Sequence, residues 1–200
     1  MKYLSPLSGF LGLPKKTKSK NCVCVVPFGL EKSVSYGSGT KNGPKAILKA
    51  SHQVELFNEE LLQDSYQNFQ INTLKPFKIK EKLTDALNQL SKITKNILDK
   101  KEFPLILGGE HSITPGIIKA FSQKYKKITI LQIDAHADLR DGYEGEKFSH
   151  ASAMRRCLDC KNIEIISFGI RNLCSDEYKY YKSIPKKMKI FWGKDMKNWN

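Results

Sequence analysis

The chain has 200 residues, 40% of them hydrophobic and 10% aromatic, which suffices for one domain with a sizeable core and is too apolar for a disordered chain. Lys and Arg number 34 against 20 Asp and Glu, a formal charge of +14. The lysines are scattered and no basic stripe alternates with aromatics, so neither a nucleic-acid partner nor a membrane surface is expected. No window reaches the roughly 20 apolar residues of a membrane helix.

In chain order, residues 1–20 read as an N-terminal extension. Its apolar stretch is broken by Pro6, Ser8 and Pro14, unlike a secretory signal. The dense run Lys15 to Lys20 reads as a mobile surface segment. Residues 21–200 read as one domain. Cys22 to Val26 is a short β-branched run that ends at Pro27 and predicts a buried strand. Ser35 to Pro44, dense in Gly and Ser, predicts a loop, and Pro44 then suits the first turn of a short helix through Ala50. An edge strand is expected near Ile71 to Leu74. Ile79 to Lys101 is the clearest helix, with Leu83, Leu87, Leu90, Ile93 and Ile97 on one face. Phe103 to Leu107 is a buried strand, Ile113 to Tyr125 a helix with Pro115 in its first turn, and Ile128 to Ile133 another strand. Ser149 to Leu158 reads as helix, Ile163 to Phe168 as strand, and Lys189 to Trp192 as the start of one more. Strands alternating with helices of this length imply βαβ units and a mostly parallel sheet.

Two segments carry chemistry. Asp134-Ala-His136-Ala-Asp138 directly follows the strand from Ile128. Alternate residues of an extended segment point to one side, and the carboxyl ends of strands in open α/β sheets are where ligands bind. A straight strand would hold Asp134 and Asp138 about 13 Å apart at roughly 3.3 Å per residue. One ion cannot reach both, so the segment must curl, serve two ions, or do both. The bland alternative is three exposed polar loop residues, which the strict alternation after a buried strand disfavours. Gly108-Gly109-Glu110-His111-Ser112 also follows a strand and precedes a helix. Glu110 and Ser112 fit helix capping. His111 by itself reads as a local hydrogen-bonding residue; beside the second motif it reads as a ligand, if neighbouring strands deliver their ends to one place. The acidic stretch from Asp134 to Glu146 offers Asp141, Glu144 or Glu146 to attract a cationic substrate, or simply a solvated loop. Five cysteines (22, 24, 157, 160, 174) are an odd number in no framework spacing. They imply reduced thiols and a cytoplasmic protein, and Cys157-x-x-Cys160 lacks the two further ligands of a zinc site.

Together, Gly-Gly-Glu-His-Ser and Asp-Ala-His-Ala-Asp resemble the motifs of the ureohydrolase family, which includes arginase and agmatinase. The likeness extends through Pro27-Phe28-Gly29, Ser35 to Ile47, Phe148 to Arg156 and Gly169-Ile170-Arg171. Asp138-Leu139-Arg140 and the segment around His150 resemble the agmatinase branch. The resemblance implies an α/β three-layer sandwich around a mostly parallel sheet and a two-ion Mn²⁺ site. It places His111, Asp134 and Asp138 on one ion and Asp134 and His136 on the second. It gives His150 a proton-transfer role in hydrolysing a small cationic guanidino substrate. The expected reaction is agmatine to putrescine and urea. The alternatives are arginase, guanidinobutyrase or formiminoglutamate hydrolase activity, or a non-catalytic remnant that assembles with a full-length relative. The complete protein is expected to be a homo-oligomer. The family's later Ser-x-Asp-x-Asp-x-x-Asp-Pro motif is absent from these 200 residues. The resemblance therefore implies a domain incomplete at its C-terminus, short of metal ligands and with an exposed last strand.

Overall fold

Apolar β-branched runs separated by amphipathic segments produce eight strands and five α-helices among the described residues. The structure is a computed structural model and describes residues 1–14 and 19–198; most of the Lys15–Lys20 run lies outside them. In chain order the elements are β1 (Cys22–Phe28), α1 (Gly43–Ser51), β2 (Phe57–Asn58), β3 (Gln63–Asp64), β4 (Gln70–Thr73), α2 (Leu83–Asp99), β5 (Phe103–Gly108), α3 (Thr114–Lys124), β6 (Ile128–Ile133), α4 (Ala153–Cys157), β7 (Ile163–Ile170), α5 (Ser175–Ser183) and β8 (Met188–Trp192).

The strands assemble into two parallel three-stranded sheets, ordered β4-β1-β5 and β6-β7-β8. The small hairpin β2-β3 stands apart. In the first sheet β1 is central, and Val25 lies opposite Thr73 on one side and Leu105 on the other. Cys24, Val26 and Phe28 are buried against α2, whose Leu83, Leu87, Leu90 and Ile97 supply the predicted stripe. Each fully buried side chain of this size contributes about 1.5–3 kcal/mol. Val25, on the opposite face of β1, is equally inaccessible, as expected for a strand covered on both sides.

Helix α2 begins at Leu83 rather than Ile79. The Gln89 side chain reaches back to accept from Lys80 N (3.0 Å) and donate to Lys78 O (3.0 Å). Those bonds hold residues 78–80 outside the helical ladder. The N-terminal residues are tied to the same body. Leu4 N donates to Thr73 O, and Leu13 is buried.

In the second sheet β7 is central. Ile163, Ile165 and Ile170 join Ala153, Met154 and Cys157 of α4 in a second core, with Tyr180 and Tyr181 of α5 beside it. The other face of β6 is open, with Leu131 62% and Ile133 82% exposed. Helix α3 packs on both α2 and α4, and so joins the two halves. The exposed edge expected at the last strand therefore has a larger counterpart inside the fold. Strands β5 and β6 each pair on one side only, and they face one another across a slot bordered by Gly108, Ile130 and Ile133.

Three elements escaped the periodicity reading. The hairpin strands are two residues each, too short to show a pattern. Helix α5, SDEYKYYKS, is mostly polar. It is fixed at its start by Glu177, which accepts from Cys174 N at 2.8 Å. The expected helix from Ser149 is a 3-10 turn (His150–Ser152) followed by the short α4. No helix is long and apolar enough to cross a membrane among the described residues.

Candidate metal centre

The chain leaves β6 at Ile133 and curls at once. Gln132 is buried; it accepts from Ser167 Oγ (2.6 Å) and donates to His136 O (3.0 Å). The Ala135 carbonyl accepts from Arg171 N (2.9 Å) and Asn172 N (3.1 Å), which lie just beyond β7. Asp138 adopts φ +51°, a left-handed conformation that Asp tolerates better than most residues. Its carbonyl accepts from both Met154 N and Arg155 N at 3.1 Å, at the start of α4. Curling is thus how the Asp134–Asp138 distance problem is resolved.

His111 arrives from β5. Gly109 is required there, because a Cβ at that position would sit 2.1 Å from Leu30 O. That close approach lets Glu110 N donate to Leu30 O at 3.0 Å. His111 Nδ1 stands 2.6 Å from Asp138 Oδ2 and 3.3 Å from Asp134 Oδ2. The ligand atoms of His111, Asp134 and Asp138 all lie within 4.8 Å of one another. β5 and β6 are not hydrogen-bonded neighbours, contrary to the sequence expectation, yet their ends converge across the slot.

Electrostatics reflects the convergence. Burial works to lower the His111 pKa, but hydrogen bonds and charge from Asp134 and Asp138 outweigh it and raise the group from 6.5 to about 9. Burial works to raise the Asp134 carboxyl; the bonds from His111 and His136 N outweigh it and hold the group well below the usual carboxylate range. One imidazole nitrogen and two carboxylates on so small a triangle form a donor set suited to a divalent cation.

The other expected site residues line the same cleft, of about 600 Å³. His136 Nδ1 is 3.8 Å from Asp134 Oδ1, with the side chain more than half exposed, and stands beside the three-residue group rather than in it. His150 also lines it, edge-on to Tyr143 at 5.8 Å between ring centroids. The acidic residues expected to draw in a cation do not line the cleft. Asp141 turns away to Arg156 Nη2 (2.8 Å), and Glu146 accepts from Phe148 N (3.0 Å). The cleft instead carries Glu110 and Glu177. Glu177 is buried and accepts from Leu139 N at 2.9 Å, fixing the turn after Asp138. Locally Glu177 is only the acidic third residue of α5, bonded back to Cys174 N, and that gives no sign of its bond to Leu139.

Glu110 also departs from expectation, since it makes no capping bond to its own helix. Its Oε2 accepts from Lys32 N (2.6 Å) and Ser33 N (2.8 Å), and its Oε1 from Ser33 Oγ (2.8 Å) and Ser112 Oγ (2.5 Å). It therefore clamps the loop after β1 against the end of β5. Among the described residues no zinc-like group includes Cys157 or Cys160, and Cys157 is buried in the second core.

The model of the Arginase family matches residues 21–200. The chain belongs to the arginase family. It is 33% identical over 182 residues to the N(1)-aminopropylagmatine ureohydrolase of Synechocystis sp., covering 87% of this chain and 58% of that protein. It is 32% identical over 175 residues to the agmatinase of Bacillus cereus, covering 86% and 59%. The crystal structure of agmatine ureohydrolase of Thermoplasma volcanium superposes with a TM-score of 0.76 at 27% identity, over 90% of this chain and 59% of that one. Formimidoylglutamase from Bacillus subtilis shares the fold, with a TM-score of 0.78 at 22% identity. This arginase-family chain spans about three-fifths of the length of the curated relatives it matches.

Proposed function

We propose that the chain carries the front part of a manganese-dependent ureohydrolase site whose substrate is agmatine and whose products are putrescine and urea. The observation that carries this reading is the His111–Asp134–Asp138 triangle, set in a cleft that His150 also lines. His111, Asp134 and Asp138 would hold one ion, and His136 with Asp134 would contribute to a second. Oxygen and imidazole donors suit Mn²⁺. When bound, such an ion supplies the Lewis acidity that brings deprotonation of a water toward neutral pH.

The chain's own residues supply the rest. Glu177 lines the cleft beside Arg140, whose Nε lies 3.8 Å from its Oε2, and fixes the turn after Asp138. His150 would take up a proton and return it to the departing amine. The agmatinase and aminopropylagmatine ureohydrolase relatives support an extended amine on the guanidino group.

Urea release by the purified chain, with and without Mn²⁺, is the test. The substrates are agmatine, 4-guanidinobutyrate, arginine and formiminoglutamate, with formamide scored for the last. Mn²⁺-dependent turnover fastest on agmatine, and lost in Asp134→Asn, supports the reading. Faster turnover of another substrate reassigns specificity, and no Mn²⁺-dependent release from any of them refutes the activity for this chain.

A further inference from the structure

The ring of His150 has a hydroxyl at each nitrogen. Ser33 Oγ lies 3.3 Å from Nδ1 and Ser35 Oγ lies 3.0 Å from Nε2. A serine hydroxyl has one hydrogen to give and two lone pairs to offer. For Ser33 the hydrogen is already committed, because it donates to Glu110 Oε1 at 2.8 Å. Glu110 cannot reciprocate. Four donors converge on its two oxygens, from Lys32 N, Ser33 N, Ser33 Oγ and Ser112 Oγ, and occupy it as an acceptor.

Ser33 Oγ is thereby left only its lone pairs. One accepts from the His150 backbone N–H at 2.9 Å. The other faces Nδ1 and can form a bond only if Nδ1 carries the proton. A neutral imidazole protonated at Nδ1 has a bare Nε2, and Ser35 Oγ is free to donate to it. All the contacts around the ring are then satisfied together. With the opposite tautomer, Ser33 Oγ and Nδ1 would face each other with lone pairs only.

We propose that Glu110 is a positioning residue that acts through Ser33 to fix His150 in the Nδ1–H tautomer, presenting Nε2 as the basic atom. Free histidine side chains favour the Nε2–H form, so the arrangement reverses the ordinary preference. The use of the bare Nε2 as first proton acceptor rests on the proposed ureohydrolase reading; the tautomer itself does not.

The test uses the metal-free full chain with ¹⁵N-labelled histidine and needs no turnover. The His150 signals are assigned by their loss in His150→Asn and read where this ring is neutral. The expected wild-type result is a pyrrole-like Nδ1 and a pyridine-like Nε2. In Glu110→Gln the amide oxygen can keep the bonds from Lys32 N and Ser33 N, while its NH₂ donates to Ser33 Oγ. The Ser33 hydrogen is then released toward Nδ1, and the tautomer should reverse to Nε2–H. A role of Glu110 in holding the loop alone would not reverse it.

Ser33→Ala covers the case in which Glu110→Gln fails to fold. It removes the bridge but keeps both backbone bonds to Glu110, and should return His150 to mainly Nε2–H. A wild-type ring protonated at Nε2, or an Nδ1–H ring that persists in either folded variant, overturns the proposal. Because urea is not measured, that failure is distinct from failure of the proposed activity.

Discussion

Metal binding to this chain should be strongly linked to pH through His111. A ligand imidazole must be deprotonated to bind an ion, and Asp134 and Asp138 raise the His111 pKa to about 9. At pH 7 the ion therefore competes with a proton at a cost of about 3 kcal/mol, the equivalent of two pKa units. The sign follows directly: the proton is bound below the raised pKa, so apparent affinity climbs with pH and levels off above about 9. Between pH 7 and 8 the apparent Mn²⁺ association constant should rise about ninefold; an imidazole at its ordinary 6.5 would give about 1.3-fold over the same interval. The assay is calorimetric titration of Mn²⁺ in buffers of different ionisation enthalpy, which counts protons as well as affinity. Close to one proton should leave per ion bound at pH 7. A rise of less than twofold, with fewer than about 0.3 protons released, would refute the reasoning. It would show that the carboxylates do not hold a proton on His111. His111→Ala should weaken binding and remove the steep pH dependence.

Glu177→Ala should cost about 2–4 kcal/mol in denaturant unfolding, because it strands the buried N–H of Leu139 and the part-buried N–H of Cys174; Glu177→Gln, which keeps one acceptor oxygen, should cost roughly half, and a loss below about 1 kcal/mol for the alanine variant would show that water replaces the carboxylate. The open face of β6 should promote self-association, since Leu131 and Ile133 lie exposed beside an unpaired strand edge. The double variant Leu131→Lys, Ile133→Lys should shift sedimentation toward monomer, and an unchanged profile would show that this face takes no part.

The parts of the fold that could be read along the chain are those in which one segment contains its own reason. β1, β5, β6 and β7 are continuous apolar runs, and α2 carries a complete leucine and isoleucine stripe; each stands close to its expected place. The meeting of His111 with Asp134 and Asp138 was legible for a similar reason. Asp134, His136 and Asp138 follow one strand and His111 another, and parallel strands deliver their ends to one side of a sheet. The hairpin β2-β3 and helix α5 were not legible, because two-residue strands have no period and α5 is polar along most of its length. The role of Glu110 was misread. Locally an acidic residue before a helix looks like a cap, but three of its four hydrogen bonds come from Lys32 and Ser33, nearly eighty positions away.

The sequence alone determined the long strands and the main helix, their parallel pairing and the chemical types at the site, since local hydrophobic periodicity and residue identity suffice for those. Tertiary structure alone decided which carboxylates face the cleft, sending Asp141 to Arg156 and bringing in Glu177. It also decided that β5 and β6 stand apart, and that Glu110 governs Ser33 and, through it, His150. These features depend on contacts between segments distant in the chain. A hydrogen bond or an ion pair depends on where two groups meet in space, and no local pattern records where a folded chain will bring them.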